Sequence, residues 1–305
     1  TRPLGWSGIS VLGPMARTVD DLTLMLDVCQ GYDPDDPFSV PSVTGRFTKL
    51  SSTDLKDLRV GFSEDFGGAP VEQSIRETFR ARLEVLRPQV KECRVADLDL
   101  GDMDRCFDIL RAESFGVAFG EAVAQDPDSF GAHIKDNVAL GHTMSLADRG
   151  WAHAEQSRIL RKFNALMTQF DVIVLPTSPV SPFAWTQSYA DEIDGQKMDI
   201  YYRWLALCYR GSLTGGPSIT LPCGRDHNGM PFGFQMLGPV RGDEGLLAAV
   251  KAVETLFACS FETARPLANM QTLPHSDVDL TSIVTHPPDL RAAPSSEHRA
   301  LRTAV

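Results

Sequence analysis

A serine flanked by glycines is a natural candidate for a nucleophile. Gly5-Trp6-Ser7-Gly8-Ile9 offers one, but a nucleophile elbow needs glycine where Ile9 stands. The segment therefore reads as a glycine-rich loop ahead of a helix. A serine can instead be activated by a neutral lysine in a dry site. The seven lysines sit in polar surroundings or on faces that read as exposed. Lys49-Leu50-Ser51-Ser52 puts one near a serine pair, but in a charged loop. The histidines form no HxxxH or HExxH pair and the cysteines no CxxC pair, so no metal-ligand spacing is present. Neither glycine-rich phosphate-binding pattern occurs. Asp20-Asp21 and Asp35-Asp36 lie at a helix start and in a turn, where the helix dipole and solvation account for them. Two polar residues remain. Gln235, an amide in an otherwise apolar strand, must meet a hydrogen-bonding partner or a pocket. Arg17 precedes a helix and either forms a buried ion pair that fixes the loop or contacts a substrate.

The elements that would position these groups follow from residue spacing. Thr18 starts a helix with the apolar stripe Val19, Leu22, Met25, Leu26 and Cys29, and Gly31 stops it. Residues 58–62 predict a strand, about 71–86 a helix, and 94–100 a second strand. Helices follow over about 103–124 and 146–169, then a strand over 171–175 broken by Pro176. A loop rich in proline and serine runs to about residue 190. It carries Phe183, Trp185 and Tyr189, which either line an apolar pocket or pack as lid residues. Residues 200–207 read as helical and 218–222 as a strand ended by Pro222, with Gly215 and Gly216 allowing a tight turn into it. Asn228-Gly229 signals a hairpin, 232–236 the returning strand, and about 242–259 a last helix. Beyond Ala268 the apolar residues become isolated, so 269–305 predicts a disordered or loosely packed tail. Strands alternating with helices, together with one hairpin, predict the α/β class with a mixed sheet.

Composition narrows the function. The 305 residues are 43% hydrophobic and 23% charged, close to a soluble globular average. A net charge of −11 with few lysines is ill suited to neutralising phosphates, so nucleic acid is not expected as a direct partner. No apolar run approaches the roughly 18–20 residues that span a bilayer, and no signal peptide pattern is visible, which predicts a cytoplasmic protein. Six cysteines spread over the chain make no disulfide framework and are expected reduced and mostly buried.

Two segments are more particular. One is Gly13-Pro14-Met15-Ala16-Arg17-Thr18-Val19-Asp20-Asp21. The other runs Leu213-Thr214-Gly215-Gly216-Pro217-Ser218-Ile219-Thr220-Leu221-Pro222-Cys223-Gly224 and resumes at Gly229-Met230-Pro231-Phe232-Gly233-Phe234-Gln235-Met236-Leu237-Gly238-Pro239. Between them stand Asp33-Pro34-Asp35-Asp36-Pro37, then Trp151, Ala154 and Arg158 at helical spacing, then Phe170-Asp171-Val172-Ile173-Val174-Leu175-Pro176-Thr177. In this order they resemble the amidase signature family over roughly residues 5–262. The resemblance implies an amidase-signature-like mixed sheet flanked by helices and incomplete on its amino-terminal side. Residues 1–268 would then be the carboxy-terminal portion of a single amidase domain.

The implied chemistry is acyl transfer. A serine attacks the amide carbonyl, a second serine with a cis peptide bond relays the proton, a lysine is the base, and backbone amides hold the oxyanion. None of these catalytic positions can be carried over, because in the family they precede the Gly-Pro-x-Ala-Arg-Thr segment and are expected here upstream of Thr1. Arg17, Thr214, Gly215, Pro217 and Gln235 are implied as pocket residues or as support behind it. No metal and no organic cofactor is implied. The partner would be a small-molecule amide, with a homodimer as one assembly of the intact protein. Two alternatives stay open. One is the amide-transferring subunit that acts on misacylated transfer RNA, against which the acidic balance and the Asp35-Asp36-Pro37-Phe38 loop weigh. The other is a non-catalytic paralogue that binds a partner.

Overall fold

A computed structural model describes residues 3–184 and 186–258. Residues 3–183 and 189–258 belong to one compact unit, and 184 and 186–188 to a second. Trp185, Cys259 and the predicted tail over 269–305 lie outside the described residues.

Helix α1 (Val19–Cys29) begins as its sequence dictates, with the Thr18 hydroxyl accepting from the Asp21 N–H at 3.0 Å. Strands β1 (Arg59–Phe62) and β2 (Glu92–Val95) flank α2 (Gln73–Leu86), whose Ile75, Phe79, Leu83 and Leu86 are buried on one face. Three helices follow, α3 (Met103–Gln125), α4 (Ala132–Thr143) and α5 (Leu146–Met167), before β3 (Val172–Pro176). A two-residue hairpin, β4 (Glu192–Ile193) and β5 (Gln196–Lys197), precedes α6 (Ala206–Thr214). Strands β6 (Ser218–Arg225) and β7 (Pro231–Leu237) and helix α7 (Asp243–Ala258) complete the order.

The main sheet has the order β2-β1-β3-β7-β6. β1 pairs in parallel with β2 and β3, and β7 runs antiparallel to both β3 and β6. All five residues of β3 are buried, which explains its unbroken apolar run: a central strand covered on both faces needs no alternation.

Several expectations are corrected. β2 ends at Val95 rather than residue 100, because the Asp97 carboxylate accepts the Asp99 N–H at 3.0 Å and turns the chain out of the ladder. The predicted helix over 200–207 is displaced: a 3-10 turn over Arg203–Leu205 leads into α6, which runs on to Thr214. Arg210, Gly211 and Ser212 read as polar and loop-like, yet α6 is buried on nearly every side. α4 and the Asp194-Gly195 hairpin were not predicted. Pro222 does not end β6; it is tolerated because β6 is an edge strand, with an irregularity between Pro222 and Gly224. Of the expected α1 stripe, Met25 and Cys29 are exposed, since the helix turns Val19 and Thr23 inward instead. Most of the other exposed large apolar side chains also fall within residues 6–43, among them Leu12 (89% exposed) and Met15 (90%). All five described cysteines are free thiols, but only Cys106 and Cys223 are buried.

The helical layer is locked by a buried ionic network. Asp104 and Asp108 lie four residues apart on one face of α3. Arg210 donates to both Asp104 oxygens at 2.9 and 2.8 Å and to the Phe66 carbonyl at 2.8 Å. Arg203 donates to Asp108 at 2.8 Å, to Asp199 at 2.9 Å and to the Tyr209 hydroxyl at 2.8 Å. The Tyr209 and Tyr202 hydroxyls in turn donate to Asp104 and Asp108. Phe66 is wholly buried at φ 50°, a conformation uncommon for a non-glycine residue, and its carbonyl is held by Arg210.

Removing Arg210 leaves the partly buried Asp104 with fewer donors and the Phe66 carbonyl without its guanidinium partner. Arg210→Met is expected to cost about 3–5 kcal/mol of stability, read by urea unfolding. A pH series separates the two carboxyls. Burial alone would raise Asp104, but Arg210, Tyr209 and Arg203 outweigh it and hold it below the ordinary value. Its contribution is complete above about pH 4 and is lost as pH falls through its lower folded value. Burial raises Asp108, and Arg203 offsets only part. Its contribution is greatest below about pH 4 and is lost as pH rises through its raised folded value. Asp104→Asn therefore flattens the acid-side loss of stability, and Asp108→Asn removes the opposing slope. The same slope in wild type and both variants would contradict this.

Candidate functional site

The C-terminal ends of parallel strands are where an open α/β sheet leaves room for a ligand. A cleft of about 570 Å³ opens at the C-terminal end of β3. One side is the segment Thr177–Phe183 that follows the strand, another is Ile75 from α2. Thr220 and Pro222 of β6 and Pro231, Phe232 and Gly233 of β7 form the third. Trp204, in the turn before α6, closes it against Phe183, with ring centroids 5.5 Å apart and planes at 73°.

Backbone contacts fix the post-β3 segment. The Thr177 N–H donates to the Gly233 carbonyl at 3.1 Å, extending the β3–β7 ladder by one bond. The Glu72 N–H donates to the Pro179 carbonyl at 2.9 Å, and the Ser181 N–H to the Glu72 carboxylate at 3.3 Å. Asp226 organises the β6–β7 turn by accepting the Asn228 and Met230 N–H groups, both at 2.9 Å, and the Ser181 hydroxyl at 2.6 Å. Burial would raise its carboxyl, but these donors, Ser181 first, hold it below the ordinary value. The Thr177 hydroxyl is buried and has no hydrogen-bond partner.

The sequence-predicted residues divide. Thr214, Gly215, Pro217 and Gln235 come together, but as a junction rather than among the lining residues of the cleft. Gly215 ends α6 in the left-handed conformation at φ 71°. A side chain at Gly216 would bring Cβ within 2.5 Å of the Gly238 carbonyl, so only glycine fits. Thr214 is fully buried; its hydroxyl donates to the Gly211 carbonyl at 2.8 Å and accepts the Gly216 N–H at 3.3 Å. The Pro217 carbonyl accepts the Gly238 N–H at 3.0 Å. Gln235 is 5% exposed and donates to the Ser218 hydroxyl at 3.1 Å. Arg17 is exposed, and beside it α1 is tied to α7 by Glu254, which accepts the Val19 N–H, and by the Lys251–Asp20 pair.

Phe183 lines the cleft, whereas Tyr189 packs on His133 and Tyr201, at 5.6 and 6.3 Å. Sequence reasoning missed Trp204 and Asp226, since neither carries a motif. Thr177 was in view as the residue after Pro176, and only the fold reveals its orphaned hydroxyl. None of the seven lysines is buried: six are exposed and Lys135 is half-buried. Among the described residues no three His, Cys, Asp or Glu side chains gather as a metal site, and no helix is long and apolar enough to cross a membrane.

With this geometry in place, comparison with known proteins is specific. The amidase family model matches residues 6–247. A glutamyl-tRNA(Gln) amidotransferase subunit from Microcystis aeruginosa is 28% identical over 275 residues, covering 81% of this chain and 55% of that protein. Its counterpart in Lysinibacillus sphaericus is 30% identical over 258 residues, covering 76% and 51%. Among solved structures, a bacterial aryl acylamidase of the amidase signature family superposes with a TM-score of 0.71 at 21% identity, over 84% of this chain and 55% of that one. The chain thus spans about half the length of the relatives it matches. A family match over most of its residues shows that the chain belongs to the amidase signature family.

Proposed function

We propose that this chain is the carboxy-terminal part of an amide hydrolase, holding the scaffold and one wall of the substrate cleft. The acyl-transfer machinery is supplied by residues outside these 305. One observation carries the reading: an amidase-family fold presents a formed cleft, yet among the described residues the base beside a lining hydroxyl is the Asp226 carboxylate on Ser181, which its donors hold below the ordinary pKa and so make a weak base. Ser178 bonds the Val180 carbonyl at 2.8 Å and Ser181 bonds Asp226. A lysine able to act as base must be dry, and none of the seven is buried. The apolar surface exposed over residues 6–43 and the edge position of β6 among the described strands further support a fold that other residues complete.

In the complete protein a serine would attack the amide carbon, the amine would leave with the proton relayed from that serine, and water would then release the acyl group as a carboxylic acid. A second reading, as an amidotransferase component, is favoured by curated relatives that are glutamyl-tRNA(Gln) amidotransferase subunits. The strongly acidic balance and the apolar cleft weigh against it.

The purified 305-residue chain is expected to release no ammonia from acetamide or benzamide and no aniline from acetanilide above the buffer rate. Turnover by the chain alone would contradict the proposal.

A further inference from the structure

The cleft carries more chemistry than its position. Its walls are dominated by Ile75, Val180, Phe183, Trp204 and Phe232. Among the described residues no lysine, arginine or histidine lines it, and the single charged lining group is the Asp226 carboxylate. The Phe183 and Trp204 rings meet edge to face at one side of the cleft, an aromatic surface against which a further ring can pack. The other buried polar atoms of the wall are occupied: Ser178 by Val180, Ser181 by Asp226, and Asp226 by the turn N–H groups. The Thr177 hydroxyl is the exception. Among the buried side-chain atoms without a partner in the described residues, it alone belongs to a residue lining the cleft. That oxygen is shielded from solvent behind the wall, so it adds no polar group to the cleft surface.

We propose that the cleft binds an uncharged aromatic group of the amide substrate and discriminates against ligands bearing a carboxylate. This rests on the amide-hydrolase reading and names its substrate class. A ring packed against Phe183 and Trp204 removes apolar surface from water. A carboxylate there would lose its hydration, find no cation, and face Asp226 at the same sign of charge.

Calorimetric titration of the 305-residue chain tests this without any turnover. The probes are benzamide, 4-carbamoylbenzoate and propionamide. Benzamide is expected to bind, and each of the other two to bind at least about tenfold more weakly, one for its charge and one for its lack of a ring. Thr177→Val keeps the shape and removes a shielded, unpaired hydroxyl, so it should leave benzamide affinity unchanged and raise the thermal midpoint. Phe183→Ala should weaken benzamide without restoring 4-carbamoylbenzoate. Absence of benzamide binding, or equal binding of the carboxylate or the aliphatic probe, overturns the proposal. Turnover by the chain would instead overturn the incomplete-enzyme reading and leave the order of affinities as the test of this one.

Discussion

Arg203 and Arg210 are buried seven residues apart, in the turn before α6 and in α6 itself, and both are answered by carboxylates of α3. A guanidinium in such a place must have every donor directed, since an unpaired buried charge costs several kcal/mol. That requirement joins three parts of the chain: the face of α3 carrying Asp104 and Asp108, the α6 segment, and the turn after β1 whose Phe66 carbonyl completes the Arg210 shell. Buried ion pairs add little net stability over well-packed apolar residues. What this network contributes is definition, because the two forks are satisfied by one placement of α6.

The cleft inherits that placement at both ends of the segment. Trp204 follows Arg203 directly, so the arginine that bonds Asp108 and Asp199 also sets where the indole stands against Phe183. At the other end, α6 runs into Thr214, Gly215 and Gly216, and from there into β6, whose Thr220 and Pro222 form part of the wall. Gly216 against the Gly238 carbonyl and Gln235 against Ser218 keep that junction closed. The motif residues are thus the frame of the site, and the less conspicuous Thr177, Phe183 and Trp204 are its surface.

This division explains what the sequence could disclose. β3 was legible because a central strand is continuously apolar, and α2 because its stripe has a strict helical period. The glycine–proline junction was legible because backbone geometry restricts residue type there. α6 was displaced in the sequence reading because Arg210, Gly211 and Ser212 break the apolar pattern; only the tertiary network makes Arg210 a buried residue and only the neighbouring Gln235 accounts for Gly211. The cleft was partly hidden for a simpler reason: its walls come from four stretches far apart in the chain, and no local pattern reports their meeting.

Amide hydrogen exchange on Arg210→Met, compared with wild type under native conditions, tests the organising role of the network most directly. The account predicts protection lost together in residues 203–216, in the turn at 63–68 and in the cleft segment 177–183, while β1 and β3 stay protected. Loss confined to the helical turn around residue 210, or spread evenly over the whole sheet, would contradict it.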